Sequence, residues 1–434
     1  MGPRLGGGEQ AGAGYLGDMA RPGSGRVSSS PRRVLALTTS RADWGHLSSP
    51  LKHLRDRDDI DLQLAVLGAH LSPEFGMTVD EIEQEGFQVD HRIECLLSSD
   101  TDVGMAKTIG VAILSLTEIL SQQRPDLLLL IADRYEMLAP AAVALSLRIP
   151  VAHIEGGEVS EGAVDHAVRQ ALTSIAHLHL VPTETAKRRL LMAGEEPWRV
   201  HQVGAPSIDH LCSGDIPSAE ELRERLDLCL DVPPLVVVWH PVTLDEEVSK
   251  ETDPFFTAIE QVSGPIVFCF PNSDAGSRAI RDRARRFCDS REDARIHVNL
   301  EHRMYWSLLE HACAIVGNSS SGIMEAPALK LPTLNIGRRQ QGRERSRCII
   351  DVPANEAAIL EGIRQVRDPR FRASLEGMIN PYGDGTAGVQ IAEIIASVTL
   401  GPRLLEKRSI PSEAIPEPPI WPGEDVASQS LSVT

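Results

Sequence analysis

Three acidic residues and an arginine stand directly after two short apolar runs. Leu127 to Ala132 ends in Asp133-Arg134, and Ile149 to Ile154 ends in Glu155-Gly156-Gly157-Glu158. A further carboxylate, Asp165, opens the next helix-like stretch. Short, wholly apolar runs followed by helical sequence read as buried parallel strands. In open α/β sheets the carboxyl ends of such strands face the ligand crevice. Asp133, Arg134, Glu155 and Glu158 are therefore expected in one cleft, with Asp165 beside them. Each carboxylate resists ionisation next to its neighbours, and burial adds to that, so one of them is expected to be raised toward neutral pH for acid/base work. Taken singly, each is an ordinary loop charge; the set beside a Gly-Gly turn reads as proton transfer next to an anionic ligand.

A second group of polar clusters follows later apolar runs. These are Trp239-His240-Pro241-Val242-Thr243, Pro271-Asn272-Ser273-Asp274, Gly317-Asn318-Ser319-Ser320-Ser321-Gly322 with Glu325, and Gly337-Arg338-Arg339-Gln340-Gln341-Gly342-Arg343. Ser319 and Ser320 at a predicted helix N-terminus combine hydroxyls, backbone N–H groups and the helix dipole, which suits a phosphate. The plain alternative is helix capping. Glu325 can take a ribose hydroxyl pair, His240 can hydrogen-bond phosphate, and Arg339 and Arg343 supply positive charge. Earlier in the chain, Thr39-Ser40-Arg41-Ala42-Asp43 joins a strand to a helix and places Arg41 at another potential anion site. That turn lacks GxGxxG, so it is not read as a nicotinamide fingerprint, and no Walker A sequence occurs.

The elements that must position these residues alternate strand and helix. Strands are expected at Val34–Thr39, Leu62–Ala69, Phe87–Ile93, Leu127–Ala132, Ile149–Ile154, His177–Val181 and Arg199–Val203. The first helix is expected over about His46–Arg57. Val103–Gln123 reads as a long helix, apolar on most of its surface and hence buried. A pause near Gly204-Ala205-Pro206 leads to a connector whose helix is Ser218–Leu230. Alternation then restarts, with strands at Leu235–Trp239, Ile266–Phe270, Arg295–Val298, Ala314–Val316 and Pro332–Asn335. This predicts an α/β chain of two Rossmann-like, doubly wound parallel-sheet halves facing a cleft. The expected divisions are a disordered tail over 1–31, an N-terminal domain over 32–206 and a connector over 207–234. A C-terminal domain over 235–380, a C-terminal helix over 381–400 and a disordered acidic, Pro-rich tail over 401–434 complete them.

A length of 434 residues is ample for two domains. The net charge of -18 argues against a nucleic-acid partner. Seven cysteines without CxxC spacing read as dispersed thiols of a reducing, cytoplasmic protein and not as a disulfide frame or zinc site. No apolar run is expected to reach membrane-spanning length, and the Gly/Ser/Arg-rich start does not read as a secretory signal.

In order along the chain, these motifs resemble the hydrolysing UDP-N-acetylglucosamine 2-epimerases, a family that supplies N-acetylmannosamine for sialic acid synthesis and whose relatives act on a diacetamido analogue in legionaminic acid synthesis. The matches are Arg41-Ala42-Asp43, Asp133-Arg134-Tyr135-Glu136, His153-Ile154-Glu155-Gly156-Gly157-Glu158, His240-Pro241-Val242-Thr243, Pro271-Asn272, Gly317-Asn318-Ser319-Ser320 and Arg339-Gln340 with Gly342-Arg343. They span roughly Val34 to Val398. The resemblance implies a GT-B type fold with UDP held mainly by the C-terminal half. It also implies a two-step reaction, in which UDP leaves C1 as a base takes the C2 proton, and water then adds to the glycal with inverted C2 configuration. It further implies Asp133, Glu155 and Asp165 as acid/base residues. Arg41, His240, Asn272, Ser319, Ser320, Glu325 and Arg339 are the implied UDP ligands, with Arg134 near the cleft and Glu158 as the substitute should Asp165 not serve. No metal or cofactor is implied, and a homo-oligomer is. Two departures stand out: Ala132 precedes Asp133 where the family usually has glycine, and the segment Ser160–Asp165 is one residue longer than in animal relatives. The rival readings are the same chemistry on the diacetamido sugar, a non-hydrolysing epimerase, a GT-B glycosyltransferase and a non-catalytic UDP-sugar sensor.

Overall fold

The computed structural model describes residues 30–97, 101–160, 164–214, 216–241, 249–270, 277–298 and 300–408. Its first sheet contains β1 (Arg32–Thr38), β2 (Ile60–Leu67), β3 (His91–Ile93), β4 (Leu127–Ile131), β5 (Val151–Ile154), β6 (Leu178–Val181) and β7 (Val200–Gln202). All seven are parallel, in the order β3-β2-β1-β4-β5-β6-β7. The second sheet contains β8 (Leu235–Val238), β9 (Ile266–Phe270), β10 (Ala294–Val298), β11 (Ala314–Gly317), β12 (Thr333–Ile336) and β13 (Ile349–Val352). These are also parallel, in the order β10-β9-β8-β11-β12-β13. Both orders reverse at the first strand of the half, between β1 and β4 and between β8 and β11. Such reversal points open the crevice in which doubly wound sheets bind ligands. The central strands are apolar throughout because helices cover both faces: every residue of β4 and β5 is buried.

Several boundaries differ from the sequence reading for local reasons. The first helix spans Arg41–Arg55, five residues earlier than expected. Ser40 Oγ caps Asp43 N–H, and the Asp43 carboxylate takes the Thr39 N–H at 3.0 Å, so the helix nucleates at the strand end. Arg41 and Asp43 thus sit in its first turn instead of a loop, and His46 moves from its start to its second turn. The connector holds two short helices, Ser207–Ser213 and Ala219–Leu226. A sixth strand in the second half, β13, and the Glu356–Val366 helix were not anticipated.

The Asp102–Gln123 helix corrects a stronger expectation. It buries only Gly104, Thr108, Ala112, Leu116 and Leu120, one stripe of mostly small residues. Its bulkier Val103, Val111 and Leu114 lie outward, and Leu114 is 73% exposed. This helix is long and apolar enough by length and composition to cross a membrane, yet here it packs one face on the Leu138–Leu147 helix. A nearly continuous apolar composition hid which stripe faces inward.

The chain crosses between the halves twice. At Gly204 (φ 88°) a Cβ would meet the Tyr382 carbonyl at 3.1 Å, and Ala205 N–H donates to that carbonyl at 2.7 Å. The return segment then rejoins the first half: Ile391, Ala392, Ile395 and Leu404 belong to its core. Asp209 anchors the return helix, Ala387–Ser397, by accepting from Gly388 N–H at 2.6 Å and Ser49 Oγ–H at 2.7 Å. Residues 401–408, expected to belong to a disordered tail, are folded. Arg199 donates to the carbonyls of Leu404, Arg403 and Glu406, and Lys407 caps those of Thr173, Ser174 and Ala176. The Pro-rich composition beyond Leu405 masked this clasp. The remaining tail expectations, over 1–29 and 409–434, lie outside the described residues.

Candidate active site

The cleft between the sheets has an empty volume of about 1170 Å³, including its open mouth. Arg41, Asp133, Arg134, Glu155, Asp165, His240, Ser319, Ser320, Glu325 and Arg339 all line it. Asn272 lies outside the described residues, as do Val242 and Thr243.

The acidic wall is built by β4 and β5. Ala132 and Glu155, the residues that turn out of these strands, both have left-handed backbones, with φ of 56° and 65°. The fold holds both in place: Ala132 N–H donates to Ile154 O at 3.0 Å, and Glu155 N–H donates to Leu180 O at 2.8 Å. His153 Nε2 lies 2.8 Å from the Ala132 carbonyl. Non-glycine residues held in this region cost about 1–3 kcal/mol each and cluster at functional sites. Asp133 is ion-paired with Arg169, a buried residue of the Val164–Ile175 helix. Asp165, one turn earlier on that helix, lies 3.4 Å from Arg339 Nη2 of the opposite wall.

The electrostatics reverse one expectation. Burial pushes the Asp133 carboxyl up, but Arg169, then Arg343, Arg339 and Arg134, overcome it and hold Asp133 below the usual carboxylate range. Burial likewise raises Glu155, and the adjacent His46 overcomes it, again leaving the group below its ordinary value. Neither wall carboxylate is raised. Two other carboxyls lining the cleft do rise: Asp43, pushed to about 6 by burial, and Glu325, also raised by burial. Counting only the carboxylates near each other missed the guanidinium groups that the tertiary fold delivers. Asp133 and Glu155 are thus held in the carboxylate form, the form in which a carboxyl group can accept a proton.

Glu158 does not join them. It is 2% exposed and is not among the residues lining the cleft, accepting instead from Thr183 Oγ1–H and Tyr382 O–H, each at 3.3 Å. Arg41 lines the cleft but is paired with Glu81, its Nε donating at 2.9 Å, so it is not a free anion site. Burial lowers its pKa to about 10. Arg134 is buried beside Glu136, 3.3 Å away.

The opposite wall turns on Asn318, which is fully buried at the end of β11. Its Oδ1 accepts from His240 N–H and its Nδ2 donates to His240 O, both at 2.8 Å. Its carbonyl accepts from Arg339 Nη1 at 3.2 Å and from Gln340 Nε2 at 3.0 Å. One side chain and one carbonyl therefore bind together the loops after β8, β11 and β12. Ser319 Oγ accepts from Ser321 N–H at 3.3 Å. The helix that follows covers only Ser321–Met324 before Pro327 turns it into a 3-10 turn, so its dipole is short and the donors are chiefly hydroxyls and side chains. Arg343 reaches across to the first half, Nε donating to Val159 O at 3.0 Å and Nη2 to Ser160 Oγ at 3.1 Å.

Sequence reasoning did not single out the charge partners His46 and Arg169 as site residues. Arg169 had a signal, since it lies one turn from Asp165. His46 had none, because its meaning comes from residues more than a hundred positions away.

Residues 52–396 match the family model described as UDP-N-acetylglucosamine 2-epimerase. The chain is 36% identical over 380 residues to a UDP-N,N'-diacetylbacillosamine 2-epimerase (hydrolyzing) of Legionella pneumophila, covering 87% of this chain and 98% of that one. It is 34% identical over 330 residues to a GDP/UDP-N,N'-diacetylbacillosamine 2-epimerase (hydrolyzing) of Campylobacter jejuni, covering 75% and 86%. In fold it is similar to the UDP-GlcNAc 2-epimerase of Neisseria meningitidis solved with UDP-GlcNAc, with a TM-score of 0.71 at 18% identity over 84% of this chain and 99% of that one. With carboxylates on one wall of its cleft and hydroxyls and guanidinium groups on the other, the chain belongs to the UDP-N-acetylglucosamine 2-epimerase family.

Proposed function

We propose that this protein is a hydrolysing 2-epimerase of a UDP-linked 2-acetamido sugar. The observation that supports this best is the division of one cleft into an anionic proton-accepting wall and a cationic, hydroxyl-bearing wall. A base on the first wall, Asp133 or Glu155, takes the C2 proton while the C1–O bond breaks and its electron pair leaves with UDP. Ser319, Ser320, His240 and Arg339 stabilise the charge that develops on the departing diphosphate, the kind of preorganised electrostatic contribution that is often the largest in catalysis. Asn272 belongs to the same proposed set, and Glu325 takes the ribose. Water then adds across the C1–C2 double bond, its hydroxyl to C1 and a proton to the opposite face of C2, with Asp165 as the third acid/base group. The sum is UDP-sugar plus water to UDP plus the free 2-epimer.

The diacetamido sugar is the first substrate to test, because the Legionella and Campylobacter relatives carry that activity in their names. UDP-N-acetylglucosamine, giving N-acetylmannosamine, is the second, favoured by the family description. The same reading includes a cytoplasmic location, supported by seven unpaired thiols, and a homo-oligomer, supported by the outward apolar face of the Asp102–Gln123 helix. Proton NMR of the protein with each nucleotide sugar in D2O tests the chemistry. Free epimer deuterated at C2, together with UDP, is expected from one of them. A returned, epimerised nucleotide sugar would make the enzyme non-hydrolysing, and two untouched nucleotide sugars would end the enzymatic reading.

A further inference from the structure

His46 lies in the cleft but belongs to neither the acid/base nor the nucleotide set. It occupies the second turn of the Arg41–Arg55 helix. Its Nδ1 is 2.6 Å from Glu155 Oε1, and its Nε2 is 3.4 Å from Glu325 Oε1. Glu155 ends β5 in the first half, and Glu325 closes the short helix after β11 in the second. One imidazole therefore spans both walls. The three side chains are 17%, 5% and 6% exposed, so water does little to screen them. A neutral imidazole donates through one nitrogen only; meeting a carboxylate at each nitrogen, the ring satisfies both only as imidazolium.

We propose that His46 is a positioning residue for the 2-epimerisation: as an imidazolium it holds Glu155 as a carboxylate at the cleft and ties it to Glu325 of the nucleotide wall, so that base and nucleotide site are set together. The inference rests on the function proposed above. The groups facing His46 are few. Glu155 and Glu325 flank it, and Asp43 lies on its own helix. Behind Glu155 stand Arg169 and Arg343, and Ser207 lies beside Glu325. His302, packed against neighbouring Gly45, is held well below its ordinary value by burial and so stays neutral. His210 Nε2 lies 2.9 Å from the Oγ of Ser48, which is one turn beyond Gly45 on the same helix as His46. Burial pulls the His46 ring toward neutrality, but the charge and hydrogen bond of Glu155, then Glu325 and Asp43, push it up to about 9. Because the folded value is raised, the tie is fully present below the ordinary histidine value and is lost as pH rises through about 9.

Two variants of the full chain separate this role from a merely structural ion pair. His46→Gln keeps a donor but no charge, and kcat is expected to fall about 10- to 100-fold with little change in KM, the size of loss seen when a supporting partner is removed. His46→Lys keeps the charge; it is expected to restore most of kcat and to move the basic limb of the pH–kcat profile upward, since lysine ionises near about 10.4. An unchanged kcat in His46→Gln, or a basic limb that stays in place in His46→Lys, overturns the proposal. If no UDP-sugar is turned over at all, the functional reading fails separately, and proton NMR of the sugar-free protein still decides this point. The ring resonance that vanishes in His46→Gln must titrate above neutrality in the wild type and at lower pH in Glu325→Gln. Titration at the ordinary histidine value in the wild type refutes the bridge.

Discussion

Replacing Asn318 with alanine should dismantle the nucleotide wall without touching the carboxylates. Asn318 holds His240 by both of its backbone groups, at 2.8 Å each, in a position with no solvent access. Alanine leaves the His240 N–H and C=O without these partners, and each orphaned buried group costs about 1–3 kcal/mol. The two together give roughly 2–6 kcal/mol, with water entry into the new space pulling the value toward the lower end. For a half of this size, a loss of about 3 kcal/mol lowers its Tm by roughly 6–12 °C. The functional loss follows from placement: the loop after β8 is no longer fixed against the loop after β11, and displacement of a binding group by about 1 Å can cost on the order of 100-fold in rate. Scanning calorimetry and steady-state kinetics measure both, and calorimetric titration with UDP separates binding from chemistry. Asn318→Asp sharpens the test, because it can still accept from His240 N–H but sets a carboxylate oxygen against the His240 carbonyl. If Asn318→Ala melts with the wild type and keeps its kcat/KM and UDP affinity, the reasoning that one side chain organises this wall is wrong.

Arg169→Gln removes the strongest charge partner of Asp133, so burial then dominates and the carboxyl rises. The acid limb of the pH–kcat profile should move to higher pH, and a limb that stays where it was would separate Asp133 ionisation from turnover. Asp133→Asn should retain UDP binding by calorimetry and lose turnover, whereas Glu158→Gln, outside the cleft lining, should lower Tm while keeping the nucleotide-sugar reaction. Ala132→Gly relieves a left-handed backbone (φ 56°) and should stabilise the chain by up to about 1 kcal/mol, offset in part by the entropy of glycine; a lower Tm by calorimetry would contradict that. Leu114→Glu places a charge on the most exposed apolar position of the Asp102–Gln123 helix, and sedimentation velocity should show a smaller particle than the wild type if that face joins two copies.

What could be read without coordinates was whatever the chain states locally. Short apolar runs followed by helical sequence, such as Leu127–Ile131, read as buried parallel strands, and polar residues directly after them lie at their carboxyl ends. The alternating elements, the two halves and most of the cleft lining, from Asp133 to Arg339, follow from that logic. Composition was a weaker guide wherever it was uniform. It could not say which stripe of the Asp102–Gln123 helix turns inward, nor that residues 401–408 fold back onto the first half through Arg199 and Lys407.

Tertiary structure alone decided the charge states and the partnerships. The clustered carboxylates suggested mutual repulsion and a raised group, but Arg169 and Arg343 converge on Asp133, and His46 on Glu155, so both are lowered. Glu158, only three residues from Glu155, is engaged by Thr183 and Tyr382 and does not line the cleft. Sequence fixes which groups exist and how near they are along the chain. Electrostatic interaction depends on distance through space and on exclusion of water, and both are set only when residues as far apart as His46, Glu155 and Glu325 are folded onto one another.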